Sequence, residues 1–96
     1  MSAFIVAHLT FADLERYRRY QAAFPGVFAQ FSGRLAAADE DVAVLEGDWP
    51  FDKLVTLEFP SRAEAIRFAT APEYEAIAVD RRAGAPAVVI VAGDAD

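Results

Sequence analysis

AVVIVA, residues 87–92, decides how this chain folds. In an extended strand successive side chains point to opposite sides. Val89 and Val91 therefore face one way, and Val88 and Ile90 face the other. A sheet with one wet face alternates apolar and polar residues, and this stretch does not. Working outward, KLVTLEF at 53–59 has the same character. Val55, Leu57 and Phe59 share one side, with Leu54, Thr56 and Glu58 opposite. In AFIVAHLT at 3–10, Phe4 and Val6 stand opposite Ile5, Ala7 and Leu9. Strands with two apolar faces need a cover on each.

The segments between them supply one cover. Asp13 is placed to cap a helix, and Leu14, Tyr17, Gln21, Phe24, Phe28 and Phe31 follow at helical spacing. Pro25 inside that run predicts a kink or two short helices. Gly33 is the candidate left-handed terminator. A second strand is expected from Arg34, with the acidic triplet Asp39–Asp41 as a bulge or small turn and Val42–Leu45 resuming it as one long, bent strand. Pro60 closes the third strand. Ser61 and Glu64 match a capping box, and Pro72 opens a further helical piece ended by Gly84 and Pro86. The order is strand, helix, strand, strand, helix, strand. Right-handed crossovers put both helical segments on one side of a four-stranded antiparallel sheet, an α+β ferredoxin-like plan. Two helices cover one face, and an apolar open face this large is avoided in soluble proteins. A second copy across a two-fold axis is the expected cover.

Ninety-six residues with 55% hydrophobic content predict a single domain spanning 1–96, with 94–96 as a loose tail. The net charge of −6 argues against nucleic acid. No run approaches the roughly 20 apolar residues that span a bilayer, and the N-terminus lacks the pattern of a signal peptide. The chain has no cysteine, which removes disulfides and thiolate chemistry. A cytoplasmic location is the expectation.

Several motifs carry a resemblance. D-x-x-x-Y-x-x-Y spans Asp13, Tyr17 and Tyr20, and S-G-R spans Ser32 to Arg34. E-G-D-W spans Glu46 to Trp49, and E-F-P-S spans Glu58 to Ser61. P-E-Y at Pro72 to Tyr74, Arg81 and a last strand ending at Gly93 complete the series. In this order and spacing the chain resembles the small bacterial uncharacterised-domain family numbered 1330, of the dimeric α/β-barrel superfamily. The resemblance implies a protomer that pairs its sheet face-to-face with a copy of itself. It implies no particular reaction. Relatives on the fold include cofactor-independent monooxygenases, a lactone isomerase, haem-handling enzymes and ligand-binding regulators, and fold alone does not choose among them. Ser32 stands where the family has the first of two glycines, Phe68 where it has tryptophan, and Ala71 where it has serine. The last removes a capping hydroxyl.

The chemistry-bearing residues are few. His8 is the only histidine, so a dedicated metal site is not expected, and no cofactor is expected either. Its ordinary range suits proton transfer at neutral pH, which makes His8 the candidate catalytic residue. The competing role is a histidine bonded at the sheet edge or interface. Arg34 and Arg81 are candidates to fork onto a ligand carboxylate, against ion pairing with Glu46, Asp48, Glu58 or Asp80. Tyr20 and Tyr74 are pocket candidates, while Tyr17 belongs to the buried stripe. Arg16, Arg18 and Arg19 read as a solvated face. Trp49, in LEGDWP, is either a ligand-stacking wall beside Glu46 or Glu58, or a plug at the end of the barrel or against the partner. The sequence thus points to a homodimer binding a small aromatic or carboxylated molecule. Cofactor-independent isomerase or monooxygenase chemistry is the enzymatic form of that reading. A noncatalytic dimerisation or binding module is the alternative. Convergence of His8, Tyr20, Arg34, Trp49, Tyr74 and Arg81 on one cavity favours the enzyme, and scattering favours the module.

Overall fold

The computed structural model describes residues 2–94. Four strands and three helices follow in the order β1 (Ala3–Leu9), α1 (Leu14–Phe28), β2 (Arg34–Asp39), β3 (Lys53–Phe59), α2 (Arg62–Ala69), α3 (Pro72–Gly84) and β4 (Ala87–Gly93). The sheet order is β2-β3-β1-β4, and all pairings are antiparallel. This is the expected α+β, ferredoxin-like arrangement.

The register sorts side chains to two sides. Ile5 pairs with Leu57 and Val91, and Ala7 with Val55 and Val89. These residues face the helices, where Phe59, Phe68 and Ala65 complete one core cluster and Tyr17, Tyr20 and Ala85 a second. Phe4, Val6 and His8 face away, beside Leu54, Thr56, Glu58, Val88 and Ile90. The helix-free side is apolar as predicted, and Val88 and Ile90 are about half exposed there, at 55% and 52%.

Local chemistry explains most of the helix ends. The Asp13 carboxylate accepts from the Arg16 N–H at 3.2 Å, and the Ser61 hydroxyl accepts from the Glu64 N–H at 3.1 Å. Ala71 precedes α3 with no side-chain cap, and Pro72 fixes the first turn instead. Three expectations are corrected. Of the two outcomes expected at Pro25, the pair of short helices is not found: α1 runs as one helix from Leu14 to Phe28. Phe24 and Phe28 anchor that turn through rings stacked 5.0 Å apart, so packing outweighs the missing hydrogen bond. Gly33 is not the left-handed terminator, because α1 ends earlier, at Ala29 in right-handed geometry. Gly33 serves close approach, since a Cβ there would lie 2.6 Å from the Phe28 ring and 2.7 Å from Phe59. Finally, β2 stops at Asp39. Its irregularity falls between Leu35 and Ala37, and Val42–Leu45 is loop, with Leu45 97% exposed.

That loop is fastened at its exit. The Asp52 N–H donates to the Leu9 carbonyl, and the Asp52 carboxylate accepts from the Phe11 N–H, both at 2.8 Å. Gly47 provides the turn with φ +84°. At the far end, the Asp94 carboxylate accepts from the Arg62 N–H at 3.1 Å. The rest of the expected loose tail, residues 95 and 96, lies outside the described residues.

Gly84 joins the two long helices. Its carbonyl accepts from the N–H groups of Ala12 and Asp13 at 2.8 and 2.9 Å. A Cβ there would sit 2.4 Å from the Tyr17 backbone nitrogen. Gly84→Ala must push α1 from α3, because a backbone atom has no rotamer to escape into. The variant is expected to lose about 2–3 kcal/mol or more of stability, measured by urea unfolding.

Candidate functional site

The helix-covered side of the sheet encloses a cavity of about 300 Å³ between α1, α3 and the strands. Its position follows from residue size. Ala7 and Ala69 present small side chains to it, which leaves room beneath the rings of α1, α2 and α3. Tyr17, Tyr20 and Phe24 enter from α1 at helical spacing, and Tyr74 and Arg81, two turns apart, enter from α3. Phe68 adds a wall from α2, and Lys53, Val55 and Leu57 line it from β3.

Four polar groups matter. The Tyr20 and Tyr74 hydroxyls meet at 3.2 Å with their rings nearly perpendicular, at 87°. Burial, and then the neighbouring Tyr74, push the Tyr20 phenol far above its ordinary range. It stays protonated, and either hydroxyl of the pair can be the donor to the other. Arg81, in the last turn of α3, donates from Nη1 to the Ala85 carbonyl at 3.1 Å. Its Nε is buried and has no hydrogen-bond partner among the described residues. Lys53 is 3% exposed, with its ammonium 5.0 Å from the centre of the Tyr17 ring and 3.3 Å from Glu40. Glu40 is also held by the Arg18 guanidinium at 2.8 and 2.9 Å. Arg18 and Lys53 together lower the Glu40 carboxyl to about 2, with the Arg18 hydrogen bonds the larger cause.

Of the residues expected at a site, the cavity brings together Tyr20, Tyr74 and Arg81. His8 lies across the sheet. Its imidazole contacts the rings of Trp49 at 4.8 Å and Phe51 at 5.0 Å. The LEGDWP loop thus folds its tryptophan over the His8 end of the helix-free side. Glu58 is not beside it. Glu58 pairs with Phe4, four residues from His8 along β1 and so roughly 13 Å away. There it forms an ion pair with Arg34, and the Ser2 hydroxyl and then Arg34 keep its carboxyl below the usual range. Arg34 lies in a shallower hollow with Ser2, Ser32 and Pro60. The basic run on α1 is not simply solvated. Arg16 and Arg19 reach Asp80 of α3 at 2.9 and 3.3 Å, and Arg18 is committed to Glu40.

Sequence reasoning missed Lys53. A lysine is usually read as exposed. The period-two signal was nevertheless present, because Lys53 has the same parity as Val55, Leu57 and Phe59 and must face the helices with them. No group of three or more potential metal ligands occurs among the described residues. No helix among them is long and apolar enough to cross a membrane.

The family model for a domain of unknown function, DUF1330, matches residues 2–94, and the chain belongs to that family. No curated protein matches it. Among solved structures it is similar to a protein of unknown function from Rhodopseudomonas palustris, with 18% identity and a TM-score of 0.73. That alignment covers 95% of this chain and 80% of the other. A dimeric ferredoxin-like protein of unknown function from Jannaschia sp. CCS1 gives 10% identity and a TM-score of 0.77, covering 97% and 99%. SnoaB, a cofactor-independent oxygenase from Streptomyces nogalater, gives 13% identity and a TM-score of 0.66, covering 99% and 94%. At these identities the likeness is one of fold.

The Glu40 cluster makes a pH prediction. A carboxyl lowered in the folded state stabilises the fold above its ordinary range, and that contribution fades as pH falls through the folded value. The share due to Glu40 is present at neutral pH and lost between about pH 5 and about pH 2. NMR titration of the Glu40 side chain is expected to show a midpoint near the lower limit. Glu40→Gln is expected to flatten the acid limb of the stability curve. A midpoint in the ordinary carboxylate range means that the cluster does not hold in solution.

Proposed function

We propose that this chain works as a homodimer and binds a small apolar or aromatic molecule bearing a carboxylate, in the cavity between α1, α3 and the sheet. The observation that carries the reading is Arg81. It is a guanidinium with a buried, unpartnered Nε, on the wall of a cavity whose described lining includes aromatic rings and no carboxylate. Arg81 is half-buried, and its buried Nε is a donor left unsatisfied, which is costly. A ligand carboxylate offsets that cost through charge-assisted hydrogen bonds. The Tyr20–Tyr74 hydroxyl pair adds one further O–H donor nearby, since the other is spent within the pair, and the surrounding rings accept an aromatic body. Tyr20, Tyr74 and Arg81 are the binding residues of this reading. Trp49 and Arg34 belong to its other surface.

That other surface is the helix-free side of the sheet. Val88 and Ile90, with Phe4, Val6 and Leu54 around them, form an apolar face that a second copy covers most simply. Similar structures are described as dimeric. His8, under Trp49 and Phe51, lies at the edge of this interface. A cytoplasmic location accords with the absence of cysteine.

Cofactor-independent isomerase or oxygenase chemistry is the second reading. It draws on the likeness to SnoaB and on the paired phenols, which leave one O–H to donate to a developing oxyanion. Binding without catalysis is the simpler reading. The described lining residues include cations and hydroxyl donors but no carboxylate or imidazole to take a proton.

Thermal-shift measurements with aromatic carboxylic acids and their neutral amides test the binding. A ligand at about 100 times its Kd stabilises by about 2.7 kcal/mol, a shift on the order of 10 °C for a chain of this size. The acids are expected to give it, the amides are not, and Arg81→Met is expected to abolish it. Unchanged acid binding by Arg81→Met overturns the reading. Sedimentation is expected to show a dimer that Ile90→Glu dissociates. Lone protomers of the unsubstituted chain at high concentration overturn the dimer.

A further inference from the structure

The cavity wall carries Lys53, Arg81 and Arg82 and, among the described residues, no carboxylate, in a chain whose net charge is −6. The three cations are not equally compensated. Arg82 is matched by the Glu75 carboxylate at 2.9 and 3.1 Å. Arg81 has the Ala85 carbonyl and no ion-pair partner among the described residues. Lys53 must share Glu40 with Arg18. Arg18 takes both carboxylate oxygens at 2.8 and 2.9 Å, and Lys53 is left one of them at 3.3 Å. One carboxylate between two cations leaves one positive charge over.

Lys53 cannot shed that charge into water, because it is 3% exposed. An ammonium has three donors, and Glu40 engages one. The Tyr17 ring face at 5.0 Å attracts the charge but does not neutralise it. Two incompletely compensated positive charges therefore border one apolar cavity: Arg81 on α3, half-buried with Glu75 as its nearby acid, and Lys53 on β3, with its share of Glu40. Their fixed locations on different elements select for a molecule with two acidic groups.

Resting on the reading of the cavity as a carboxylate site, we propose that Lys53 is its second anion-binding group and that the ligand is an apolar or aromatic dicarboxylate. One carboxylate sits at Arg81 and the other at Lys53. Glu40 holds Lys53 loosely until the ligand arrives. Lys53 then discriminates diacids from monoacids, while Arg81 is common to both.

Isothermal titration of the full chain with benzoate, phthalate, isophthalate and terephthalate tests the assignment. At least one dicarboxylate is expected to bind about tenfold or more tighter than benzoate, a gain of about 1.4 kcal/mol. Lys53→Met is expected to remove that advantage and leave benzoate binding nearly unchanged. Glu40→Gln, at an exposed carboxylate, frees Lys53 and is expected to tighten dicarboxylates alone; this variant decides the question if Lys53→Met fails to fold. Dicarboxylates binding no tighter than benzoate overturn the proposal, as does Glu40→Gln shifting both classes equally. Failure of every acid to bind, benzoate included, overturns the carboxylate site itself and this assignment with it.

Discussion

β1 runs between β3 and β4, and each of its residues must send its side chain toward the helices or away from them. Pairing on both sides fixes the choice, because a slip of one residue would exchange the two sets throughout. Ile5, Ala7 and Leu9 go to the helices, and Phe4, Val6 and His8 go to the other side. Everything else follows from that division. The small Ala7 leaves room under the tyrosines of α1 and α3. The imidazole is separated from that space by the thickness of a strand. The helix-free side keeps its valines and isoleucine exposed because the helices of this chain all lie on the opposite face.

Charge obeys the same division in a different way. At the surface, carboxylates find guanidinium partners that tie one element to another. Asp80 joins α3 to Arg16 and Arg19 of α1, and Glu64 joins α2 to Ser32 while holding Arg67. Exposed pairs of this kind contribute little each, and they align elements more than they stabilise them. In the interior, the acid-rich chain offers no carboxylate among the described cavity residues. Interior and exterior thus differ in sign, which matters more to a charged small molecule than the net charge of the whole.

The strands, the caps at Asp13 and Ser61 and the placement of Pro72 are legible in the sequence because each rests on local chemistry. The two-sided character of β1, β3 and β4 is legible because period two is unambiguous once an apolar run is short. The loop after β2 is not. Val42–Leu45 has the branched apolar composition of a strand, yet no neighbouring edge receives it, and composition cannot report the absence of a partner. Gly33 misleads for a related reason: a glycine after a helix suggests a left-handed residue, while here the need is space for the Phe28 and Phe59 rings. At the cavity, Tyr20, Tyr74 and Arg81 are found from type and motif. Lys53 is hidden by the habit of reading lysine as surface, although its parity places it. The separation of Trp49 from Glu58 depends on where a long loop folds back, which is a tertiary fact.

Pro25 has no N–H, so the Gln21 carbonyl, one turn earlier on α1, lacks its helical donor. Both residues border the cavity. The helix survives because the Ala29 N–H still donates to the Pro25 carbonyl and the Phe24 and Phe28 rings stack. Its ladder is nonetheless one rung short at the rim, and a spare acceptor there is free to bind water. α1 is therefore held differently along its length: beyond Gln21, where the ladder lacks a rung, ring packing by Phe24 and Phe28 takes over the work of the missing hydrogen bond.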